Sequence, residues 1–87
     1  MIKRYSITLI DITTGDCLID EYRSYTARKP FWTFVEHCTK KCLKSDLLEK
    51  DSLYHLTVSR AEKTAVVAFT SCGHIIHECE YKRKTDE

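Results

Sequence analysis

Pro30-Phe31-Trp32-Thr33-Phe34-Val35-Glu36-His37-Cys38-Thr39-Lys40-Lys41-Cys42-Leu43-Lys44 carries the one helical pattern of the chain, and the fold is built around it. Phe31, Phe34, Val35, Cys38 and Cys42 recur at the three- and four-residue spacing of an α-helix, with Glu36, His37, Lys40 and Lys44 on the opposite side. Pro30 suits the first helical position, because the amide it lacks would be unpaired there anyway. It also pushes Lys29 away from helical geometry, which fixes where the helix begins.

On either side the period changes to two. Ile2 to Ile12 alternates, with Tyr5, Ile7 and Leu9 on one face and Arg4, Ser6, Thr8 and Ile10 on the other. Asp11 to Asp16 is a turn in which Gly15 suits a positive φ. Cys17 to about Tyr25 returns as a second strand, and 24–29 is a basic connector.

After the helix, 45–51 is polar, with a turn around Leu47 and Leu48. Ser52 to Arg60 alternates again, with Tyr54, Leu56 and Val58 together, and Ala61-Glu62-Lys63 turns. Thr64 to Ser71 holds Ala65-Val66-Val67-Ala68-Phe69, the most apolar run, which predicts a strand central in the sheet. Cys72-Gly73 leads into a last strand, His74 to Lys82, with Glu78 and Glu80 toward solvent and Ile75, His77 and Cys79 inward.

The expected fold is two-layer α+β in the chain order ββαβββ: a single helix on a mostly antiparallel five-stranded sheet. Residues 1–84 form one domain and 85–87 a frayed tail, since 87 residues leave no room for a second core. The expected core is Tyr5, Ile7, Leu9, Phe31, Phe34, Val35, Cys38, Cys42, Leu56, Val58, Val67, Phe69 and Ile75.

Fourteen basic residues stand against thirteen acidic ones, so the formal charge of +1 gives no global field for nucleic acid or an anionic membrane. The five cysteines are an odd number, and Met1 to Tyr5 has neither an apolar stretch nor a small-residue cleavage site. Reduced, buried cysteines in a cytoplasmic protein are therefore expected rather than a disulfide framework. No apolar run reaches membrane-spanning length.

Several chemistries compete for the remaining residues. Cys38 and Cys42 on the buried helical stripe, with His77 and Cys79 on the last strand, would make a Cys3His zinc site if helix and strand converged, and Cys72 and His74 are a second pair. Structural zinc favours Cys-x2-Cys knuckles, which are absent, so core packing is preferred and no metal or cofactor is expected.

His37 adjoins Cys38 but points roughly 100° away around a helix. Two glycines in all leave no phosphate-cradling loop, and Asp11, Asp16, Asp20 and Glu21 read as a solvated hairpin. No catalytic constellation assembles, so the protein is read as no enzyme.

A local basic patch of Arg23, Arg28, Lys29, Lys40, Lys41 and Lys44, interleaved with aromatics, is the nucleic-acid alternative. Preferred to it is a non-enzymatic protein-interaction module that regulates or inhibits a larger macromolecule, with self-association into a homodimer open. Trp32 borders the apolar stripe, so Trp32, Tyr25, Arg28 and Lys29 are the expected contact residues. The compact, cysteine- and tyrosine-rich composition suits the small accessory proteins of phages and mobile elements.

Overall fold

The computed structural model describes residues 2–26, 30–49, 52–61 and 63–82; the expected frayed tail, 85–87, lies outside them. The chain runs β1 (Ile2–Asp11), β2 (Cys17–Thr26), α1 (Phe31–Leu43), β3 (Leu53–Arg60), β4 (Lys63–Thr70) and β5 (Ile75–Lys82). This is the ββαβββ order that the periodicities dictate. The strands form one sheet in the spatial order β2-β1-β3-β4-β5, and every neighbouring pair is antiparallel. Hence β2 and β3 run parallel to each other on either side of β1, and α1 is the crossover joining them. β4 is interior, but β3 holds the centre.

Pro30 caps α1 with an extended backbone, and no side chain caps the helix there. At the other end Lys40 and Lys41 complement the helix dipole, and the Ser45 hydroxyl donates to Cys42 O at 2.7 Å. The first turn of the helix reaches Tyr5, Arg60 and Glu80, each through a different aromatic residue. Phe34 stacks on Tyr5, with 4.1 Å between ring centroids, and the Arg60 guanidinium lies 5.4 Å from the Phe31 ring. The helix leaves toward the β4–β5 turn, where Leu43 would lie 3.6 Å from a Cβ placed on Gly73.

The core lies between α1 and one face of the sheet. It holds Tyr5, Ile7 and Leu9 of β1, Phe31, Val35, Cys38 and Cys42 of α1, Tyr54, Leu56 and Val58 of β3, and Ala65, Val67 and Phe69 of β4. Two expected members differ. Phe34 is half-buried at the β1 flank, and Ile75 is 39% exposed. Tyr54 belongs to the core and keeps its hydroxyl satisfied at the backbone of Glu49, accepting from its N–H at 2.5 Å.

Asp11 is buried rather than part of a solvated hairpin. Its carboxylate accepts from Thr13 N at 2.9 Å and Thr14 N at 3.2 Å, organising the turn in which Gly15 takes φ +83.

The last strand faces the opposite way from its expected phase. Glu78 and Glu80 pair with Val67 and Ala65, which puts both carboxylates on the helix side. His77 and Cys79 pair with Ala68 and Val66, on the far side. A bulge is the cause: between Ala68 and Phe69 the register shifts, so that Phe69 meets Ile75 and Ile76 is the extra residue. Period-two counting across a bulge reverses the faces. Charged residues are tolerated there because β5 is an edge strand, on which Glu78 stays exposed and Glu80 accepts from the Trp32 indole N–H.

Candidate interaction surfaces

The sheet separates the sequence-level metal ligands. Cys38 and Cys42 lie under the helix, whereas His77 and Cys79 lie on the other face, so the Cys3His arrangement does not assemble. Among the described residues no group of three or more His, Cys, Asp or Glu side chains is placed to hold a metal ion. All five cysteines are free thiols, but only Cys38 and Cys42 are buried; Cys17 and Cys72 are exposed and Cys79 is intermediate. Burial pushes the Cys38 thiol up to about 11, and the Cys42 thiol rises for the same reason. These are protonated packing groups, unlike the activated thiolate that nucleophilic catalysis requires.

Trp32 is half-buried, and its indole N–H donates to the Glu80 carboxylate, fastening the start of α1 to β5. Tyr25 sits in β2 opposite Lys3. Arg28 and Lys29 lie outside the described residues. The basic residues do not form one described patch. Lys40, Lys41 and Lys44 are exposed on or just beyond the helix, and Arg23 is ion-paired with Glu21 at 3.0 Å.

The uncovered face of the sheet is more telling, and it follows directly from register. Tyr22, Ser6, Ser59, Thr64 and Tyr81 form one row across all five strands. Asp20, Thr8, Thr57, Val66 and Cys79 form the next, and Cys17, Ile10, His55, Ala68 and His77 the third. On this face the three central strands bear no acidic or lysine side chain, and Arg4, at one end, is their only arginine.

Within the first row Ser59 and Thr64 bond each other through their hydroxyls at 3.0 Å. The edges carry Tyr22 at 69% exposure and Tyr81 at 57%. By contrast Glu21, Arg23, Arg60, Lys63, Glu78 and Glu80 all lie on the helix side of the sheet. The signal was present in the sequence: apart from Arg4 and His55, the polar residues in this phase of β1, β3 and β4 are Ser and Thr, where a merely solvated face would carry Lys and Glu.

The helix side has a second feature. α1 leaves a groove of about 530 Å³ along its β2 flank, floored by Ile7 and Ile19 and walled by Phe34, Cys38 and Cys42. No periodicity in the sequence announces it, because it arises from one helix being narrower than five strands.

No helix among the described residues is long and apolar enough to cross a membrane. No protein family, curated protein or solved structure matches this chain.

Proposed function

We propose that this chain is a non-enzymatic protein-interaction module that regulates or inhibits a larger macromolecule by seating its uncovered sheet face on it. The observation that carries this reading is the partition of charge. The helix side holds most of the ionic residues, and the outer face, with Asp20 on its β2 edge and Arg4 over the Tyr22 ring, keeps an uncharged centre between two exposed tyrosines. Depletion of charge at the centre, with aromatics in place, is the composition of interface cores. Five strands of about eight residues present roughly 600 Å² in projection, close to the ~800 Å² that each partner contributes to an interface of standard size. A net charge of +1 puts no long-range repulsion in the way of either an acidic or a basic partner.

The outer face is preferred here to the helix start as the contact surface, because the Trp32 indole N–H is already used in holding α1 on β5. The test is affinity purification from the native host, followed by mass spectrometry, with wild-type protein and Thr57→Arg as parallel baits. Thr57 stands at the middle of the middle row, where an added guanidinium would be buried unpaired in a complex yet solvated in the free protein. The expected result is a partner, or a second copy of this chain, retained by wild type and lost from Thr57→Arg at unchanged thermal stability. Equal retention by both baits would overturn the outer-face reading. A nuclease-sensitive retained fraction would replace it with the nucleic-acid reading.

A further inference from the structure

The groove between α1 and β2 lies beside a sheet edge. β2 pairs only with β1, so along its outer side no described strand meets its backbone N–H and C=O groups. The groove follows this edge. Its interior is apolar, from Ile7 and Ile19 below to Phe34, Cys38 and Cys42 along the helix, and both thiols carry their protons at neutral pH.

Its walls differ in charge. Glu21, on the strand side, is engaged by Arg23, whereas Lys41, on the helix side, has no carboxylate partner among the described residues. Both charges reach the groove interior: Glu21 adds to the upward shift of both thiols and Lys41 opposes it.

We propose that this groove docks an extended peptide that adds to β2 as a sixth strand, with two apolar side chains at alternate positions inside the groove and an acidic side chain on the same face meeting Lys41. The strand edge supplies main-chain hydrogen bonds, and the groove supplies the selective pocket for every second side chain; together these make up peptide recognition by strand addition. A compact apolar molecule would fill the groove but leave the edge unpaired. A second copy of this chain is a poor occupant through its edges: on the helix side β2 offers Ile19, Glu21 and Arg23, and β5 offers Ile75, Glu78 and Glu80. Neither has two apolar residues in alternate positions followed by an acid that is free. This site is on the side of the sheet opposite the outer face, so either proposal can fail without the other.

The experiment is fluorescence anisotropy on the full chain with an array of labelled nine-residue peptides. Each alternates apolar and threonine residues and ends its apolar face with either Glu or Lys. The Glu members are expected to bind wild type, and methylation of alternate backbone nitrogens should abolish that binding. Lys41→Glu, an exposed position, should weaken the Glu members by roughly two- to fivefold and favour the Lys members instead. Absence of binding by every member would overturn the proposal. So would binding that survives N-methylation, or binding indifferent to Lys41→Glu.

Discussion

Phe69→Ala is expected to remove about 3–5 kcal/mol of folding stability, measured by urea denaturation. The ring is fully buried in β4, on the helix side of the sheet, 6.0 Å from the Tyr54 ring between centroids. Its buried neighbours Tyr54, Leu56 and Val67 are fixed parts of the same layer, so the space would not refill fully. A chain of this length has about 4–13 kcal/mol in total, so the variant should be largely unfolded or close to it.

Phe34→Ala is the informative contrast. Phe34 is half-buried and stacks on Tyr5 at the groove, so its loss should cost only about 1–2 kcal/mol and leave a cooperative transition. Equal costs for the two would mean that the helix sits nearer β2 than described, with the groove closed.

The second large effect is a loss of stability in alkali. The Cys38 thiol is raised from an ordinary 9.0 to about 11, first by burial and then by the neighbouring Cys42, with Lys41 opposing. A thiol whose folded pKa lies above its unfolded value binds its proton more tightly in the native state. Its contribution is therefore intact below about pH 9 and drains away as pH rises toward about 11. Two pKa units correspond to about 2–3 kcal/mol. Cys42 shifts in the same direction, by burial first and then by Glu21.

Because other groups titrate in alkali, the measurement is a difference. Urea midpoints of wild type and Cys38→Ala are compared from pH 8 upward, and wild type should lose more stability across the window. Parallel slopes would show the Cys38 thiol to be solvated in the folded protein.

The elements were legible because each rests on a local period. Phe31, Val35, Cys38 and Cys42 mark the helix stripe, and Tyr54, Leu56 and Val58 mark a strand face, wherever the rest of the chain goes. Spatial strand order was less legible, since only the crossover of α1 decides that β3 lands beside β1. The face of β5 is hidden from sequence for a specific reason. Ile76 is an extra residue whose presence leaves no mark in a sequence of Ile-Ile-His-Glu-Cys-Glu, and one residue of slip exchanges the two faces. The zinc arrangement depended on that phase and fell with it.

Burial of Asp11 was hidden because an aspartate in a turn reads the same whether its carboxylate meets water or backbone amides. Of the candidate site, the openness of one sheet face could be read from having one helix for five strands. The uncharged rows across that face needed the register.

Whether the outer face does the binding is decided by a binding isotherm. The retained partner is titrated with wild type, Thr57→Arg and Lys40→Glu at low and moderate salt. Thr57→Arg is expected to lose at least about tenfold in affinity, since a guanidinium would be buried unpaired. Lys40→Glu, on the exposed side of α1, should be neutral, and wild-type affinity should change little with salt. Full affinity in Thr57→Arg, or an affinity that falls steeply with salt and with Lys40→Glu, would contradict it.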